Sequence, residues 1–139
     1  MSDFVDLELA RLYHGHLGPN LVIGLKLGNF AIRRLKARKY FGISAEVRCP
    51  EKPPISCIID GIQLSSGCTM GKANIRHITQ DAEVGVTFVN TETNESISLR
   101  VLPEAIERSL AWFREAGEDE ASNRTWALPD SEVFEVIPG

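Results

Sequence analysis

The chain has 139 residues, 43% hydrophobic and 24% charged, close to the commonest size for one domain and long enough to bury a core without disulfides or a structural metal. Nineteen acidic against fifteen basic residues leave a formal charge of −4, the wrong sign for a protein that neutralises nucleic-acid phosphates. The opening Met1-Ser2-Asp3-Phe4 lacks a basic segment followed by a long apolar run, so the expectation is one cytosolic domain over residues 1–139 with neither a nucleic-acid nor a membrane partner.

Residues 3–13 carry Phe4, Leu7, Leu9, Ala10 and Leu12 at helical spacing, with Asp3 available as cap. The run His14-Gly15-His16-Leu17-Gly18-Pro19 breaks that helix, and Pro19 suits the first position of the next. From 20 to 38, Leu21, Gly24, Leu25, Gly28, Ala31, Ile32 and Leu35 recur every three or four residues. This predicts a central buried helix whose small residues Gly24, Gly28 and Ala31 admit a neighbouring backbone. The basic cluster Arg33, Arg34, Lys36, Arg38 and Lys39 reads as its solvated end. Residues 43–48 read as a strand, and Pro53-Pro54 opens a third helix over 55–66 that Gly67 stops. Within it Cys57, Asp60, Gly61 and Leu64 share one face, which makes thiol and carboxylate neighbours. Runs 83–89 and 96–102 form a hairpin-like pair of strands. Pro103 starts a helix with Ala105, Ile106, Leu110, Ala111 and Phe113 inward, ending near Gly117. A helical turn over 119–127 and a strand over 132–137 complete an α+β domain with no internal repeat or linker.

The side chains able to hold a metal concentrate at His14, His16, Cys57 and Cys68, with Asp60 nearby. Two residues apart in a turning segment, His14 and His16 can face one point. Imidazole and thiolate are the usual ligands of borderline metals, and three protein ligands leave a position open for water or substrate. The same residues also allow a plainer reading, with His14 capping the first helix, Cys57 buried as a small apolar residue and Cys68 in a turn. Cys49 is expected in the core or at its rim, and His77 at the surface.

The segment Gly67-Cys68-Thr69-Met70-Gly71-Lys72 is not a phosphate loop: only three residues separate the glycines, and Ala73 stands where a magnesium-binding hydroxyl is needed. Thr69 and Lys72 remain candidates to bind a small anionic substrate, Thr69 by hydrogen bond and Lys72 by charge. Cys57, in the first turn after Pro54, is placed to gain thiolate stabilisation from the helix N-terminus. It is therefore the nucleophile candidate, with His16 as base, in a metal-free alternative.

Taken in order, His14-Gly15-His16-Leu17-x-Pro19, Cys57-x-x-Asp60-Gly61-Ile62-Gln63 and Ser66-Gly67-Cys68-Thr69-x-Gly71-Lys72-x-Asn74 resemble the core domain of the FmdE family, named for its association with formylmethanofuran dehydrogenase, over roughly residues 5–116. The resemblance implies an α-β-α-β-β core related to the catalytic domain of glyceraldehyde-3-phosphate dehydrogenase, usually dimeric, with a His/Cys cluster that holds a divalent metal, zinc before iron. Gly18 stands where the family commonly has a cysteine, and no cysteine follows Cys68 to form the C-terminal zinc finger of many members. The functions so implied are a metal-dependent protein of one-carbon or redox metabolism, with Cys57, His16 and Asp60 as catalytic candidates. The alternatives are an accessory module of a larger oxidoreductase complex, or thiol chemistry at Cys57.

Overall fold

The computed structural model describes residues 5–138. Five helices and five strands follow the chain: α1 (Leu7–His14), α2 (Pro19–Leu35), β1 (Ile43–Cys49), α3 (Ile58–Ser66), β2 (Ile75–Thr79), β3 (Gly85–Asn90), β4 (Ser96–Val101), α4 (Pro103–Ala116), α5 (Glu118–Ala127) and β5 (Phe134–Ile137). The strands form one mixed sheet in the order β2-β1-β3-β4-β5, parallel only between β1 and β2. Buried Ile43, Ala45, Val47 and Cys49 alternate along β1 with half-buried Ser44, Glu46 and Arg48, the period expected of a strand covered on one face. The core lies on that face, between the sheet and Ile23, Leu27 and Ala31 of α2 and Ile58 and Ile62 of α3. A second apolar cluster, Val5, Ala10, Leu17, Leu21 and Leu25, seats α1 against α2.

The α+β class and the central helix match the sequence reading, and several details differ. Asp3 and Phe4 lie outside the described residues; α1 begins at Leu7, capped by Asp6, whose side chain accepts from the Leu9 N–H at 3.0 Å. Helix α2 stops at Leu35 because Lys36 turns left-handed (φ 49°), short of the expected Arg38. A 3₁₀ turn, Ile55–Cys57, leads into α3. Strand β2 has no counterpart in the sequence reading: it is the sheet's edge, and after Ile75 its residues are exposed on both sides, so it carries no alternation. In α4, Ala105 and Ser109 are the buried residues, whereas Leu110, Ala111 and Phe113, expected inward, are exposed or only partly covered. Among the described residues no helix is long and apolar enough to cross a membrane.

Helices α2 and α3 meet through their glycines. A Cβ on Gly24 would stand 2.9 Å from Gly61 Cα and collide with the Ile58 carbonyl oxygen; one on Gly61 would stand 2.7 Å from Leu25 N. Ser65 completes the seam by donating its hydroxyl to Gly61 O at 2.8 Å and Gly24 O at 3.3 Å. At the far side, the buried Lys26 ammonium of α2 donates to Trp126 O (3.2 Å) and Leu128 O (2.8 Å) and pairs with Asp130 (3.3 Å), which fixes the end of α5. Because the Gly61 clash is with backbone, Gly61→Ala is expected to cost about 3 kcal/mol, the upper end for overpacking. Gly71→Ala, where a Cβ meets nothing within 4 Å, should stay within about 0.5 kcal/mol of the parent. Urea midpoints measure both, and equal midpoints would contradict the seam.

Candidate functional site

His14 is the last residue of α1, and Gly15 ends the helix at φ 99°, a conformation that suits glycine, with its N–H on Arg11 O at 2.8 Å. This turn brings His16 back beside His14, their ring centres 4.8 Å apart and tilted by 46°. His14 Nδ1 lies 2.6 Å from Asp60 Oδ2, on the first turn of α3. His16 Nδ1 lies 2.8 Å from Leu17 O and 3.2 Å from Glu118 Oε2, at the start of α5. These partners are all acceptors, so each Nδ1 carries a proton, and Nε2 is the ring nitrogen not engaged by them. The glycine seam holds α3 in place, so the reach from Asp60 to His14 is set by backbone packing.

Both imidazoles and Cys57 line one cavity of about 300 Å³. Pro19, Asn20 and Leu21 at the start of α2 form its floor, and Ile106, Leu110 and Phe113 of α4 form an apolar wall. Burial, and after it the negative charge of Asp60, push the Cys57 thiol up. That is opposite to the depression expected from the helix N-terminus, and it argues against an activated thiolate at this position. Tyr13 is likewise raised, by burial and then Asp60.

The remaining candidates stand elsewhere. Cys68 is fully buried in the main core, and its thiol donates to Ile43 O at 3.3 Å. The nine-residue helix α3 separates Cys57 from Cys68 by about 13 Å at 1.5 Å per residue. Thr69 caps the turn Met70–Lys72, and Lys72 Nζ donates to Thr69 Oγ1 (3.3 Å) while standing 5.6 Å from the Tyr40 ring centre. Thr69 and Lys72 line a separate shallow pocket with Tyr13, Tyr40 and Gln63. The single site drawn from spacing is thus divided: His14, His16, Cys57 and Asp60 gather at one end of α3, Cys68, Thr69 and Lys72 at the other. Cys49 is buried, with its thiol pushed up to about 11 by burial, and exposed His77 sits 3.5 Å from its sulfur.

The sequence reading passed over Glu118 and Asn20, which join the site from other elements. Glu118 follows Gly117, where a helix end was expected, but nothing local links it to His16 across 102 positions. Among the described residues no three His, Cys, Asp or Glu side chains form a ready-made metal cluster. The family described as FmdE, molybdenum formylmethanofuran dehydrogenase operon, matches residues 13–135, and the chain belongs to it. No curated protein matches the chain.

The burial pattern predicts which thiol a reagent reaches. Cys57 is half-buried whereas Cys49 and Cys68 are enclosed, so a disulfide reagent at pH 8 should titrate one thiol in the native protein and three in guanidinium. Peptide mapping should place the native label on Cys57.

Proposed function

We propose that this member of the family described by that operon is a metal-binding protein in which His14, His16 and Cys57 hold a divalent ion, zinc before iron. The observation that carries the reading is the pair of Nδ1 bonds, to Asp60 and Leu17 O, which orient both imidazoles and leave Nε2 for an ion. A histidine held through its other nitrogen by a carboxylate or carbonyl is the usual arrangement behind a metal ligand. Ring spacing supports it: two imidazoles on one tetrahedral ion, at about 2.0–2.1 Å per nitrogen, place their centres about 5 Å apart, against 4.8 Å here. Cys57 is partly exposed and lines the same cavity as both imidazoles. Buried Cys68, already bonded to Ile43 O, falls out of the ligand set.

The donor set fits a borderline metal, with three ligands and one coordination position open. A bound ion supplies Lewis acidity to a substrate oxygen at that position. The chain's own residues orient: Asp60 fixes His14, Glu118 and Leu17 O fix His16, and α4 gives the cavity an apolar wall. His16 as base toward Cys57 loses support, because the thiol is raised and His16 Nδ1 is committed to Leu17 O and Glu118. The reading suits a role in one-carbon or redox metabolism, as a homodimer or as part of a larger oxidoreductase assembly.

Protein reconstituted with zinc and dialysed is expected to retain one equivalent, measured by elemental analysis. Cys57→Ala and His16→Ala should lose it, and Cys68→Ala should keep it. A folded parent that retains no zinc sinks the proposal. Asp60→Asn, which keeps the shape but weakens the acceptor, should loosen zinc by about 10–100-fold.

Gly18 offers a gain-of-function test. Its backbone is extended (φ −160°), and a Cβ there would meet only His16 Cε1, at 4.0 Å. Gly18→Cys therefore sets a soft ligand beside His16 and should tighten zinc by about tenfold or more. Competition with a chromogenic chelator measures it, and unchanged affinity would place the ion away from His16.

A further inference from the structure

The cavity is larger than a metal and its water require. An apolar cavity of about 150 Å³ accommodates benzene, and this one is about 300 Å³. Most of its surface is apolar, from Leu21, Pro54, Ile55, Ile106, Leu110 and Phe113. No Lys or Arg lines it, and the charged group at its edge is the Glu118 carboxylate. In the metal-free protein a free carboxylate or phosphate entering here would meet the Glu118 carboxylate with no Lys or Arg to offset it. The expectation of an anionic ligand rests on Lys72, which lies at the far end of α3 in a different pocket.

The floor is polar without being charged. Asn20 is 93% buried (7% exposed), and its Oδ1 has no hydrogen-bond partner among the described residues. A buried amide oxygen left unpaired costs free energy that a bound hydrogen-bond donor recovers. Asn20 and Leu21 also occupy the second and third positions of the 17-residue α2, after Pro19, and no side chain caps the helix. Their N–H groups have no partner within the helix, so the floor offers donors, at the positive end of a helix dipole, to an acceptor oxygen.

We propose that this cavity binds a small, uncharged, largely apolar organic molecule whose head is a primary amide, its N–H donating to Asn20 Oδ1 and its carbonyl accepting at the start of α2, with its apolar body along α4. The pocket itself does not depend on the metal, so this inference does not rest on the metal-binding reading. The polar floor and the enclosing residues from both ends of the chain select a compact ligand over a protein segment.

The probes are benzamide, benzoate and toluene at pH 7 with EDTA present, titrated against the full chain by two-dimensional NMR. Benzamide is expected to bind with a Kd of about 1 mM and to shift Asn20, Leu110 and Phe113. Benzoate should bind at least about tenfold more weakly, because its charge is left uncompensated. Leu110→Lys, at an exposed wall position and so tolerant of substitution, should reverse the order, favouring benzoate. Asn20→Leu should weaken benzamide by about tenfold and leave toluene unchanged.

Benzoate binding the parent as tightly as benzamide would overturn the proposal, as would folded parent that binds none of the probes. A parent dimer that Leu110→Lys converts to monomer, with no benzamide binding, would also overturn it and give the cavity to a second copy. Because EDTA removes metal, benzamide binding in a protein that fails to retain zinc would leave this inference standing while the metal reading falls. Zinc retention without benzamide binding would do the reverse.

Discussion

The His14 half of the site follows from how closely two helix backbones approach. Gly24 and Gly61 stand with no room for a side chain between them, and the Ser65 hydroxyl bonds across the seam to Gly24 O. Contact at this range leaves α3 little freedom to slide or rotate, since interdigitated interiors resist sub-ångström shifts. The position of α3 in turn decides where Asp60 and Cys57 emerge, and Asp60 decides the orientation of His14. A polar constellation is thus aligned by an apolar contact that includes none of its members.

The second determinant is charge placed where it is costly to leave unpaired. Lys26 is 8% exposed on the buried helix α2, and its three oxygen partners come from the end of α5 and the segment that follows it. Breaking that set would strand an ammonium in the interior, so α5 is held at one end by the demand of a buried cation. Its other end supplies Glu118 to His16. The seam and the Lys26 anchor therefore act from opposite sides of α2, one placing the His14 half of the site and the other the His16 half.

The sequence showed most of the helices and the interior strands because burial on one face imprints a period on them. It also showed that Gly24 and Gly28 would admit a backbone, although not that Gly61 was the partner. Edge strand β2 stayed hidden because exposure on both faces leaves no such imprint. Grouping Cys68 with Cys57 failed for a geometric reason: the positions between them are mostly helix, and a helix holds its two ends apart. Asn20 and Glu118 were missed because their importance is tertiary. Asn20 looks like an ordinary first-turn residue and Glu118 like a solvated helix start until α2, α4 and α5 are packed together. Leu110 and Phe113, read as core from spacing alone, instead line the cavity.

One consequence concerns folding. His14, Cys57 and Glu118 come from three well-separated parts of the chain, and His16 meets Glu118 only after 102 positions have been closed into a loop. Such long-range contacts are formed at an entropic cost that local ones avoid. The pocket therefore exists only in molecules whose helical layer is complete, and any occupant draws the population toward that state, adding about 2.7 kcal/mol at a concentration a hundred times its Kd. For this domain, occupancy of the pocket and foldedness are one linked equilibrium, so a molecule that filled it would also hold the fold together.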